Sequence, residues 1–257
     1  MLKKSILFFF FSLTIIFSKS LYNETDNIKE KYIFSKILNE QRKIVMYEPK
    51  EYTDKKLPVV YVLDAQYLER FNEAVKYSKT NPHIVIGIVT LENRSRDMIP
   101  VKMKTRKNTG GSEKFLDFFT KELIPEIDKR YNTNGNNILF GGSNAGLFVL
   151  YTIFKAPDSF YGFIPSSPMV GHCPEFMYKL LNEFDNLGKL KNKYVYFHYG
   201  MNDHYKQATE FIPDYVKSFT KKFGSLTKIY NDRLEEEGHV PPGGLFSGLK
   251  FIYKEKK

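Results

Sequence analysis

The sequence predicts an α/β fold in which a mostly parallel sheet is sandwiched between helices. Three observations predict it. β-rich runs near residues 43-48, 58-63, 84-90, 137-141, 161-165, 194-199 and 226-231 alternate with stretches of helical periodicity. Residues able to do chemistry stand just past the C-terminal ends of several runs, where a parallel sheet places its site. No linker, composition break or internal repeat follows residue 40, so residues 41-257 read as a single domain.

In chain order, Lys3 and Lys4 precede an apolar run from Ile6 to Phe17, and Ser18, Lys19 and Ser20 offer a small-residue cleavage site. The run is too short to span a bilayer comfortably. Residues 1-20 therefore read as a secretion signal and the protein as exported, periplasmic or secreted, with no stable membrane insertion once the signal is cut. An uncleaved signal anchor is the alternative. Cleavage would remove Lys3, Lys4 and Lys19 and take the net charge from +10 to +7. Residues 21-40 are polar and charged and read as a leader, loosely packed over 21-36, and Lys43 to Tyr47 start the sheet.

The runs 58-63 and 84-88 are apolar on both faces, as buried parallel strands are, with a helical pattern at 67-78 between them. Ser112 is placed to cap a helix whose stripe Phe115, Phe118, Phe119, Leu123 and Ile127 faces the core, with Pro125 bending or breaking it. Helical patterns at 205-222 and 243-253 cover the later strands. Hydrophobic residues make up 42% of the chain, enough for one large core, and Cys173 is the sole cysteine, so no intrachain disulfide can contribute.

One segment carries the chemistry. Ile138, Leu139 and Phe140 end a strand, Ser143 follows among Gly141, Gly142, Ala145 and Gly146, and Leu147, Leu150 and Tyr151 begin a helix face. A serine on a sharp strand-to-helix turn presents its hydroxyl as a nucleophile, and small neighbours let strand and helix approach. The pattern is G-x-S-x-A, one methyl from the usual G-x-S-x-G. Such turns also serve as phosphate loops or plain turns, so the partners matter. Asp203 follows the strand 193-199 and His239 lies in a loop before the last helix, giving the order Ser, Asp, His that α/β-hydrolases use. His204 is the rival imidazole, and Asp232 and Glu235 to Glu237 are reserve acids. His83 reads as a surface or strand-edge residue, His198 as a satisfied core or sheet-face imidazole, and Ser166 and Ser167 as loop residues beside the site.

The chain resembles the putative esterase family of α/β-hydrolases that includes the enterochelin, or ferric siderophore, esterases. The segments that carry the resemblance are Pro58 to Ala65, Ile84 to Ile88 with Arg94 to Pro100, Gly110-Gly111 through Phe118, Glu122 to Asp128, Gly141 to Tyr151, and Gly238-His239 through Phe251. It implies an α/β-hydrolase three-layer sandwich with a mostly parallel central sheet, and an esterase with a Ser-His-acid site and no metal. Departures are Ala145 and Ala65, where glycine is common. In such a fold the oxyanion is held by backbone N–H groups after the nucleophile and in an earlier strand-to-helix loop, here Asn144 and Ala65 or Gln66. The basic loop Arg94, Arg96, Lys102, Lys104, Arg106 and Lys107 would lie near the substrate entrance, and His172 would line the pocket.

The chemistry then assigns Ser143 as nucleophile, His239 as base and later acid, and Asp203 as the group that fixes the His239 tautomer. The expected activity is cleavage of small-molecule carboxylic esters; an acyltransferase using the same acyl-enzyme and a binding protein on the hydrolase fold are the alternatives. No cofactor and no metal are expected, since H-E-x-x-H, C-x-x-C, EF-hand, phosphate-loop and dinucleotide patterns are missing. Nucleic acid is not expected either, because no recognition motif accompanies the positive charge.

Overall fold

A computed structural model describes residues 27-52 and 54-254. The expected signal, residues 1-20, lies outside them. Eight strands form one sheet in the order β1-β2-β4-β3-β5-β6-β7-β8. They are β1 (Ile28–Ser35), β2 (Glu40–Tyr47), β3 (Leu57–Leu63), β4 (Ile84–Ile88), β5 (Thr133–Gly142), β6 (Gly162–Ser166), β7 (Tyr194–Gly200) and β8 (Lys228–Leu234). β2 pairs antiparallel with both β1 and β4, and every other pairing is parallel. The mostly parallel sheet is as expected.

Helices cover both faces. On one face α1 (Leu68–Ser78) and α8 (Gly244–Lys254) bury Phe71, Ala74, Leu245, Leu249 and Ile252 against Val60, Val62, Phe140 and Ile164. On the other lie α2 (Arg94–Met98), α3 (Ser112–Phe118), α4 (Ile124–Arg130), α5 (Asn144–Lys155), α6 (Pro174–Glu183) and α7 (Lys206–Phe223). That larger core holds Tyr61, Phe115, Phe119, Phe148, Phe160 and Phe197. α5 is buried along nearly its whole length, so the serine that precedes it is anchored to the centre of the molecule.

Four expectations need correction. Residues 28-35 are not loosely packed leader but an edge strand. Ile28 to Ser35 pair in register with Tyr47 to Glu40, and Glu122 ties the following turn by accepting from Ser35 Oγ and from the N–H groups of Lys36 and Ile37. Ser112 is the first helical residue and not the cap; Gly111 precedes it, and the buried Ser112 hydroxyl has no partner. The break attributed to Pro125 is a π-helical turn over Phe119–Leu123, which leaves Pro125 in the first turn of α4, where no N–H is needed. His83 is fully buried, its ring set between the carbonyls of Asn81 (2.7 Å) and Ala74 (3.1 Å), and burial pushes its pKa down to about 4.

Candidate active site

β5 delivers Ser143 to the C-terminal edge of the sheet. Its backbone is at φ 61°, ψ −121°, a conformation that costs a non-glycine residue a few kcal/mol and survives only where the surroundings impose it. The surroundings are visible: Ser143 N–H donates to Ser166 O (2.9 Å), and Ser143 O accepts from Leu147 N–H (3.0 Å). A Cβ on Gly141 would stand 2.5 Å from the Ala145 backbone and 2.8 Å from its methyl, so the absent side chain at 141 makes room for alanine at 145.

The loop after β8 brings His239 to the same place. Ser143 and His239 line one cavity of about 370 Å³, with Leu63, Asp64, Tyr67, Arg70, Arg94 and Tyr205 among its walls. His239 Nδ1 lies 2.6 Å from Asp203 Oδ2, and Asp203 Oδ1 accepts from the Tyr205 N–H (2.8 Å). The Asp203 side chain is wholly buried. His239 Nε2 is also buried and has no hydrogen-bond partner. An imidazole whose Nδ1–H is tied to a carboxylate keeps a lone pair on Nε2, the form a base requires. The Asp203 and His239 loops are themselves joined, Asn202 N–H donating to Glu237 O (3.0 Å) and Met201 N–H to Leu234 O (2.8 Å).

The structure therefore brings Ser143, His239 and Asp203 together and leaves the other candidates aside. His204 points outward, 70% exposed, with Nδ1 3.8 Å from Asp203 Oδ1. Asp232 faces His198 at 2.9 Å, and Arg233 pairs with Glu235. Asn144 N–H, at the start of α5, has no intrahelical acceptor. Ala65 N–H, however, is committed to Ile88 O (3.0 Å), which removes it from the expected oxyanion donors. Gln66 is the alternative. Its side chain holds Thr90 N–H (3.1 Å) and approaches Asp64 (3.2 Å), fixing the loop while its own backbone N–H stays uncommitted among the described hydrogen bonds.

Two arginines that looked alike in sequence part company. Arg94 lines the cavity, its Nε on Asp64 (2.8 Å) and Nη2 on Gly142 O (3.2 Å). Arg96 turns away to grip Glu40 at 2.6 and 3.0 Å and Asp97 at 2.9 Å, so it is a strut between α2 and β2 and not a substrate ligand. Hydrogen bonding from Arg96 holds Glu40 below the usual carboxylate range. His172 lies behind the Asn144 side chain. In the orientation that satisfies its neighbours, the Asn144 amide donates to His172 Nδ1 (3.1 Å), and its oxygen accepts from Arg94 (3.3 Å) and Arg106 (3.1 Å). Burial, then the charges of Arg106, Arg94 and His239, depress the His172 pKa to about 4, so it is a neutral acceptor there. It borders a second groove with Lys102, Lys104 and Phe176 rather than the Ser143 cavity itself.

Sequence reasoning missed Asp64, Tyr67, Arg70 and Tyr205. Asp64 carried a signal, an acid at the end of the buried strand β3. Arg70 carried none, because its task is to reach across 170 residues and donate to Val240 O (2.8 Å). Among the described residues no group of acids, histidines and cysteines could hold a metal, and no helix is long and apolar enough to cross a membrane.

Comparison with known proteins fits this geometry. Residues 35–215 match the family described as "Putative esterase". A ferri-bacillibactin esterase of Bacillus subtilis is 30% identical over 161 residues, 53% of this chain and 56% of that protein. A siderophore triacetylfusarinine C esterase of Aspergillus fumigatus is 27% identical over 130 residues, 44% of each chain. The matches span about half the length of these relatives. Among solved structures, an IroE-like serine hydrolase from Shewanella oneidensis superposes with a TM-score of 0.79 at 22% identity, covering 90% of this chain and 81% of its own. The siderophore hydrolase EstA of Aspergillus nidulans gives 0.77 at 19% identity, covering 94% and 99%. At such identities the likeness speaks for the fold.

Proposed function

The chain belongs to the putative esterase family, and from that premise we propose that it is an exported serine hydrolase cleaving carboxylic esters through an acyl-enzyme on Ser143. One observation carries the reading: His239, a residue that lines the same cavity as Ser143, is tied to the buried Asp203 by one nitrogen and has no hydrogen-bond partner on the other. As Ser143 Oγ attacks the ester carbonyl, its proton passes to His239 Nε2, and the buried Asp203 carboxylate stabilises the imidazolium. The N–H groups of Asn144 and Gln66 would receive the oxyanion, each donor worth on the order of 3 kcal/mol of barrier. The intermediate collapses as His239 returns the proton to the leaving alcohol. Water activated by the same nitrogen then releases the acid and regenerates the serine.

The substrate suggested by the relatives' names is a siderophore ester. On the cavity wall Arg70 and Arg94 are paired with Glu73 and Asp64, so a preference for an ester bearing negative charge would come from Arg106, Lys102 and Lys104 beyond it. Export is inferred from residues 1-20. The test is acid release from a panel of neutral and anionic esters by the wild type and Ser143→Ala, with an added alcohol to trap acyl transfer. The expected result is hydrolysis in water, preference for anionic members, and a loss on the order of 10⁶-fold in the variant. Hydrolysis that survives in Ser143→Ala would refute the mechanism; product appearing chiefly as the new ester would make the protein an acyltransferase.

A further inference from the structure

Asp203, just past the end of β7, is not the only residue of that region to reach the His239 loop. His198, within β7, reaches it from another side. The His198 ring is buried and lines no part of the cavity. Its Nδ1 lies 2.9 Å from Asp232 Oδ2 on β8, and the Tyr196 hydroxyl donates to the same oxygen (2.5 Å). Its Nε2 faces the Pro241 carbonyl oxygen at 3.3 Å. Its own carbonyl accepts from Ser167 N–H (2.7 Å), and Ser167 Oγ in turn accepts from Val240 N–H (3.0 Å). The ring also bears on Gly244, the first residue of α8, where a methyl group would collide with Cδ2 and stand 2.8 Å from Nε2. The side chain thus bears on the chain at 241 and 244, and the backbone of the same residue reaches 240 through Ser167.

This grip matters because the loop is strained. Val240 sits at φ 51°, a left-handed conformation that a β-branched residue adopts only when its neighbours hold it there. Val240 follows His239 directly, so relaxation of its backbone would swing the imidazole. The Asp203 bond fixes one point of the ring and the Tyr205 ring packs edge-on against it with centroids 4.7 Å apart, so the remaining control of its aim lies in the backbone at 239 and 240. From the α1 side Arg70 holds Val240 O, and Glu73 accepts from the N–H groups of Gly243 (3.2 Å) and Phe246 (3.3 Å). From the β7 side the hold on Val240 N–H runs through Ser167, seated by the backbone carbonyl of residue 198, and the hold on Pro241 runs through the His198 ring itself.

We propose that His198, backed by Asp232 and Tyr196, is a positioning residue that sets the 239-244 loop so that His239 Nε2 is aimed beside Ser143. The proposal rests on the reading of Ser143 and His239 as nucleophile and base. It assigns a role to a second histidine–carboxylate pair that takes no proton from substrate and acts only through the first.

The test uses the full chain. His198→Asn keeps an amide nitrogen near the place of Nδ1 to meet Asp232, and removes the ring from Pro241 and Gly244. Both kcat for an ester and the rate of Ser143 labelling by a fluorophosphonate are expected to fall roughly 10- to 100-fold, the scale at which remote misplacement acts. KM should stay within about twofold, since ground-state binding does not use the aim of Nε2. The downfield proton resonance of the His239–Asp203 hydrogen bond should move or broaden. Asp232→Asn, a change on the edge strand at a side chain 22% exposed, should shift kcat and the resonance in the same direction by less, and it carries the test if His198→Asn does not fold. Folded variants that label at the wild-type rate, or that raise KM with kcat unchanged, overturn the proposal. A wild-type protein that does not label at all overturns the nucleophile reading itself, and this inference with it.

Discussion

On the β3 side of the cavity the polar side chains are spent on one another: Asp64 accepts from Thr90, from Gln66 at 3.2 Å and from Arg94 at 2.8 Å. On the opposite side, the chain of contacts from Tyr205 N–H through Asp203 to His239 ends in a buried nitrogen with no partner. A buried polar atom left unsatisfied costs on the order of 1–3 kcal/mol; nine such side-chain atoms occur among the described residues, and His239 Nε2 is the one that belongs to a residue lining the Ser143 cavity. The first network is complete and fixes shape. The second stops one bond short, at a residue that lines the same cavity as Ser143, and on the proposed mechanism the missing bond is the one that a reacting serine would supply.

The comparison breaks most visibly at its open end. Asp203→Asn should leave the fold intact and lower kcat by about 10⁴-fold, because an amide can hold the ring in the wrong tautomer; steady-state kinetics beside a melting curve would show activity lost and stability kept. Asp64→Ala should do the reverse. It leaves Arg94, 23% exposed, without its carboxylate, and should lower stability by about 2 kcal/mol, less than for a fully buried pair, while kcat falls far less than in Asp203→Asn. Denaturant unfolding would measure that loss. If Asp64→Ala proved the more damaging to kcat, the division between shaping and reacting sides would be wrong.

A smaller effect concerns pH. His83 has its folded pKa depressed to about 4 by burial, below the unfolded value of 6.5, so the unfolded chain binds the extra proton first as pH falls. Stability from this group is therefore whole above 6.5 and drains between 6.5 and 4, by about 2 kcal/mol at pH 5. A pH series of melting temperatures should show this decline, and His83→Gln should flatten it. Smallest of all, Arg106→Gln should raise KM for an anionic ester about two- to fourfold, leave a neutral ester unchanged, and weaken the salt dependence.

What the sequence made legible was local. The strand-serine-helix pattern at 137-150 and the position of Asp203 and His239 after strand-like runs can be read from residues close to one another. So could His198, whose place inside a strand marked it as a satisfied imidazole, and it holds Asp232 and Pro241 O. What failed depended on partners far along the chain. Arg94 and Arg96 stand two apart on one short helix, and Glu40, brought in by β2, joins Asp97 in holding the second away from the cavity. β1 was missed because an edge strand has one neighbour and shows Tyr32 and Phe34 to solvent, which blurs its alternation. His83 is satisfied by backbone carbonyls and packed against Tyr77 and Tyr253, and carbonyl partners leave no mark on sequence. Ala65 lost its expected role to Ile88 O for the same reason.

The central claim is that Ser143 is an activated nucleophile, and covalent labelling by a fluorophosphonate probe with peptide-level mass analysis tests it most directly. One adduct located on Ser143, absent from Ser143→Ala and strongly slowed in Asp203→Asn, is the predicted result. A well-folded wild-type protein that takes up no adduct, or an adduct on another residue that persists in Ser143→Ala, would contradict it.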